Sequence, residues 1–148
     1  MDKHNSNNDN IVIIGDSLIQ YYKGNKHCFP DMTLNEFITN DNFILNNLDI
    51  KNNDKNNKNI TYVFSFGIHD LQTFIEEDDV INNYIYLTKK YNNCMLILPP
   101  LQTDHFYEKC IGEIDTIFIT AFIFEYKSVD GLHPNSISLK KLKNEIEL

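Results

Sequence analysis

The stretch Ile11-Val12-Ile13-Ile14-Gly15-Asp16-Ser17-Leu18 constrains the fold more than any other part of the chain. Four β-branched apolar residues in a row predict a strand buried on both faces, as in parallel sheets. Gly15 breaks the run and permits a tight turn. Ser17 falls just past the strand, where a helix is expected to begin. In an open α/β sheet, sites form at the carboxyl ends of strands. A serine there sits near helix amides that favour developing negative charge. Read alone, Ser17 is more simply a helix cap.

The far end of the chain gives Ser17 a second meaning. Asp130-Gly131-Leu132-His133-Pro134-Asn135 sets a carboxylate and an imidazole three residues apart in a Gly/Pro-marked loop. Such a loop can hold the carboxylate on one ring nitrogen and leave the other facing outward. A serine nucleophile needs that arrangement: a base for its proton, and an acid group that fixes the base's tautomer. The plainer readings are an ordinary D-G turn and a loop histidine.

The elements between these ends alternate. A polar tail is expected over 1–9 and one domain over 10–148. Strands are expected at 11–15, 26–29, 60–66, 94–98 and 116–124. A helix is expected to start within 18–23 and stop at Gly24-Asn25. Thr33 to Leu48 carries Leu34, Phe37, Ile38, Phe43 and Leu45 in helical spacing. Thr33 and Glu36 there read as a capping box. Asp49 to Asn59 is a polar Asn/Lys loop. Val80, Ile81, Tyr84, Ile85 and Thr88 share a helical face, with Glu76 to Asp79 at its start and Lys89-Lys90 at its end, as the macrodipole favours. Leu101 to Ile114 is ambiguous, with His105 read as a surface residue. A last helix is expected over 136–148. This alternation implies a parallel sheet with helices on both faces, a three-layer α/β/α sandwich.

Charge and cysteine content narrow the function. The formal charge is −8, and all thirteen basic residues are lysine. A negative surface repels phosphate backbones, which argues against nucleic acid as a partner. The three cysteines, Cys28, Cys94 and Cys110, form no C-x-x-C pair, so neither a disulfide scaffold nor a zinc site is expected. Cys28 and Cys94 read as core residues. There is no secretory apolar segment and no stretch long enough to span a bilayer, so a soluble cytoplasmic protein is expected.

Together these blocks resemble the GDSL/SGNH hydrolases, a family of esterases and lipases. Gly15-Asp16-Ser17 matches the family's first block, and Asp130 with His133 matches its closing D-x-x-H. The strand ending in Gly67-Ile68-His69-Asp70 corresponds to G-x-N-D, with histidine for asparagine. Pro30-Asp31-Met32-Thr33 corresponds to P-G-a-T, with aspartate for glycine. The blocks fall in the family's order from residue 11 to 135. The G-x-S-x-G elbow of the α/β-hydrolases is absent.

The resemblance implies a five-stranded parallel sheet in the flavodoxin-like order 2-1-3-4-5. It implies a serine esterase acting on a small carboxylic ester, an acetyl or short acyl group on a lipid, sugar or other small molecule. Ser17 is then the nucleophile, His133 the base and Asp130 its orienting partner. The oxyanion donors are the backbone amides of Ser17 and Asp31 and the side chain of His69. No metal or cofactor is required, and Asp70 is read as a cap for its own turn. If Asp31 lies beside His69, its charge favours the protonated ring, and the two substitutions compensate each other. The alternative is a degenerate member of the fold that binds or scaffolds. A flavodoxin-like nucleotide or flavin binder is the third reading, weakened by the lack of a Gly-rich phosphate loop.

Overall fold

The computed structural model describes residues 10–48, 60–119 and 133–147. The expected tail at 1–9, the loop at 49–59, the later part of the expected fifth strand and Asp130 lie outside the described residues. The strands are β1 (Ile11–Gly15), β2 (Lys26–Cys28), β3 (Thr61–Ser65), β4 (Cys94–Ile97) and β5 (Ile117–Ile119). The helices are α1 (Leu34–Asn47), α2 (Ile68–Gln72), α3 (Glu77–Lys90), α4 (Asp104–Glu113) and α5 (Ser136–Ile146). All pairings are parallel, in the order β2-β1-β3-β4-β5.

Side-chain alternation explains why the strands read as continuous apolar runs. Val12, Ile14, Phe64 and Leu96 face one cluster, shared with Leu34 and Phe37 of α1, Tyr84 and Leu87 of α3, and Phe106 of α4. Ile13, Val63, Ile97 and Ile119 face the other, with Leu18, Ile19 and Tyr22 and with Leu142 and Ile146 of α5. Both faces are apolar, so hydrophobic pattern alone does not fix the register of β1. Gly15 pins it instead. A Cβ there would lie 2.5 Å from the Ser65 carbonyl oxygen, and Gly15 pairs with Ser65 across β1 and β3.

Two elements depart from the sequence reading, and a third settles a stretch it left open. The helix expected after Ser17 is a single 3-10 turn, Ser17–Ile19, and its cap is Asp16 rather than Ser17. The Asp16 carboxylate accepts from the Leu18 amide at 3.0 Å, which frees the serine hydroxyl. In α1 the Thr33–Glu36 capping box is present, but Asn40 leaves helical geometry (φ −125°, ψ 17°). The buried stripe nevertheless keeps its phase through the break. Leu34, Phe37 and Leu45 are buried, whereas Phe43 is 72% exposed. Residues 104–113 of the ambiguous stretch are helical, started by Thr103, whose hydroxyl accepts from the Phe106 amide. His105 is exposed, as read.

α3 follows the expected pattern, burying Val80, Ile81, Tyr84 and Leu87 between an acidic first turn and Lys89-Lys90. Tyr84 donates its hydroxyl proton to the Phe66 carbonyl at 2.7 Å and so reaches the end of β3. There Gly67 turns the chain at φ +119°. A Cβ on Gly67 would lie 2.2 Å from the Tyr84 hydroxyl. Gly67→Ala therefore combines left-handed strain with overpacking, and about 2–4 kcal/mol of stability should be lost. Urea unfolding measures this; a loss within about 0.5 kcal/mol, typical of an innocuous surface change, would refute it.

Candidate active site

The carboxyl ends of three adjacent strands bring the first candidates together. Ser17 lies two residues beyond Gly15, and His69 four residues beyond Ser65, its register partner. Cys28 pairs with Gly15 on the other side, so Asp31 follows β2 to the same edge. The Phe29 amide donates to the Gly15 carbonyl at 2.8 Å and the Asp16 amide to the Ser65 carbonyl at 3.0 Å. These bonds extend the ladder past the strands and fix where each loop departs.

Ser17 is 7% exposed, and its Oγ lies 3.5 Å from His69 Nε2. Among the described residues this is the side-chain hydrogen-bond partner of the serine. His133 makes an aromatic contact. Its ring meets the Tyr21 ring edge-on, with centroids 6.2 Å apart, and Tyr21 follows Ser17 by four residues. Asp31 is exposed, and among the described residues it forms neither a hydrogen bond nor an ion pair with His69. Asp130 lies outside the described residues.

Two carboxylates that the sequence reading passed over support this edge from below. Asp70 was expected to cap its own turn. It instead accepts from the amides of Leu34 at 2.6 Å and Asn35 at 3.0 Å, capping α1 from a distance of 36 and 35 residues. That contact ties the loop holding Asp31 to the helix holding His69. Asp70 is fully buried, and burial raises its pKa against the pull of those two amides and of His69. Asp16 is also fully buried. Its Oδ2 is the one buried side-chain oxygen among the described residues with no hydrogen-bond partner. Burial pushes its pKa up to about 7; the Leu18 amide opposes the rise, and the Asp70 charge adds to it. The signal for Asp16 was present, since an aspartate before a helical turn is a preferred cap. No local signal marks Asp70.

Burial also raises the pKa of all three thiols, that of Cys110 to about 12. Thiolates are therefore scarce at neutral pH, which leaves Ser17 as the candidate nucleophile. The Cys28 thiol donates to the Asp16 carbonyl at 3.2 Å. Among the described residues no group of histidine, cysteine and carboxylate side chains is placed to hold a metal ion, and no helix is long and apolar enough to cross a membrane.

The raised pKa of Asp16 has a definite sign in stability. The unfolded chain loses this proton near 3.8, while the folded chain keeps it to about 7. Stability from this group is complete below the lower value and is lost as pH rises to the upper one, by on the order of 4 kcal/mol. Asp16→Asn should remove that decline, so the variant should gain on the wild type between the two values. Urea midpoints across this range test it, and parallel curves for the two proteins would refute the assignment.

No protein-family model and no curated protein sequence matches the chain. Solved structures do. TesA superposes with a TM-score of 0.62 at 13% identity, covering 92% of this chain and 94% of its own. The acetyl xylan esterase AlAXEase gives 0.62 at 14% identity, covering 92% and 97%. A Clostridium thermocellum family 3 carbohydrate esterase gives 0.60 at 14%, covering 91% of each chain. The five-stranded order, the flanking helices and these superpositions together establish an SGNH-type α/β fold.

Proposed function

We propose that the protein is a serine esterase that hydrolyses a small carboxylic ester carrying an acetyl or short acyl group. The observation that carries this reading is the Ser17 hydroxyl, released from capping by Asp16 and set against His69 at the strand ends. The fold it shares with solved esterases supports the same reading.

Ser17 Oγ attacks the carbonyl carbon and forms a C–O bond while His133 takes its proton. Asp130 orients His133 and stabilises the imidazolium. The tetrahedral oxyanion receives N–H groups from the Ser17 and Asp31 backbones and from His69. Collapse breaks the ester C–O bond, and His133 returns the proton to the departing alcohol. Water, deprotonated by His133, then releases the acid and restores Ser17. Catalytic hydrogen bonds are often long before substrate binds, and the Ser17 hydroxyl resting on His69 is compatible with that resting state.

His69 makes this site unlike one built on asparagine. An amide always offers an N–H, whereas imidazole Nε2 offers one only in the matching tautomer or when protonated. Asp31 is exposed, and His69 lowers the pKa of Asp70 against the effect of burial. A second reading, a binding module on a degenerate site, draws on the same two substitutions.

Hydrolysis of p-nitrophenyl acetate from about pH 5 to about pH 9 separates them. Ser17→Ala and His133→Ala should abolish turnover. His69→Ala should lower kcat by about 10²–10³, the usual loss for one oxyanion donor. His69→Asn should retain activity. Wild-type turnover matched by Ser17→Ala would end the esterase reading, and an inert wild type would favour the binding module.

A further inference from the structure

A groove of about 230 Å³ opens beside Tyr21, the ring neighbour of His133. Its upper end is Tyr21, whose ring touches His133, and its floor includes Tyr22. Its far wall is one face of α5: Ser136, Leu139, Lys140 and Lys143, at positions i, i+3, i+4 and i+7. Lys23 completes the near wall. Three ammonium groups thus line a largely apolar groove on a chain of net charge −8.

The three are not equivalent. Lys143 is neutralised by Glu147 at 2.9 Å, donates to the Lys23 carbonyl at 3.1 Å and lies 5.5 Å over the Tyr22 ring. It is therefore part of the wall. Among the described residues no carboxylate lies within ion-pair distance of Lys23 or Lys140. Two positive charges without an ion-pair partner among the described residues, in a concave and largely apolar site, focus potential onto whatever enters it.

The chemistry states which half of an ester lies there. His133 must pass its proton to the leaving oxygen, so the alcohol portion departs on the His133 side. We propose that the groove receives this alcohol portion and selects alcohols bearing an anionic group, a carboxylate or a phosphate. The inference rests on the serine-esterase reading, and it names the substrate class of that site. The Tyr21 and Tyr22 rings and Leu139 cover the carbon frame of the alcohol, and Lys23 and Lys140 meet its charge.

The test keeps the two readings apart by measuring binding to Ser17→Ala, which cannot consume the ester. The probes are 4-acetoxybenzoate, its uncharged methyl ester and 4-acetoxyphenyl phosphate, titrated by calorimetry. Each exposed ammonium contributes modestly, so the anionic probes should bind about three- to tenfold more tightly than the neutral one. Replacing Lys23 and Lys140 by alanine should erase the difference, and so should salt near 1 M. A preference confined to one anionic probe identifies the anion selected. Equal binding of charged and neutral probes, binding of neither, or a preference that survives loss of both lysines would overturn the proposal. Wild-type turnover of the same esters bears separately on the esterase reading: selective binding without turnover would sink that reading and leave the anion groove standing.

Discussion

The candidate site depends on one long-range contact, the Asp70 carboxylate on the first amides of α1. A helix start buried without partners for its amides is unfavourable, and each lost hydrogen bond to a charged group is worth about 1.5–3 kcal/mol. Asp70 supplies two such bonds from the helix that carries His69. The loop after β2 and the loop after β3 are thereby held as one unit. Asp16 sits beside them, fully buried, with one oxygen on the Leu18 amide and the other unpartnered. Burial favours the protonated carboxyl there, which lessens negative charge one residue from Ser17. This suits a serine whose reaction develops negative charge, since a buried anion there would oppose it.

How much of this was legible in sequence follows from the range of each interaction. β1 and β3 announce themselves because both faces of a central strand are apolar, and the run needs no partner to be recognised. The Thr33–Glu36 box and the acidic and basic ends of α3 are likewise local, spanning a few residues. Phe43 was misread because it was counted into the apolar stripe on loose spacing, although the helical period sets it opposite Leu34. The 3-10 turn after β1 was misread because propensity does not distinguish one turn from the start of a longer helix. Asp70 was beyond reach for a different reason. Its partners lie 35 and 36 residues away, and nothing local in Gly67-Ile68-His69-Asp70 points to them.

The site itself divides in the same way. Ser17 and His133 were readable as motif residues, and His133 meets the ring of Tyr21, four residues after Ser17 in the chain. The contact between Ser17 and His69 joins residues 52 apart and required the β1–β3 register. The same register accounts for a fold recognisable at 13–14% identity when no sequence model matches. Burial pattern and a few pinned positions such as Gly15 and Gly67 specify the sandwich, and many sequences satisfy them.

The central claim is that Ser17 is an activated nucleophile, and covalent trapping tests it most directly. A fluorophosphonate probe phosphorylates a serine only when a base removes its proton, because an unassisted hydroxyl is a weak nucleophile. Peptide mapping by mass spectrometry should then find one adduct, on Ser17, with none in the Ser17→Ala protein. An adduct on another residue, or labelling undiminished in Ser17→Ala, would contradict the account.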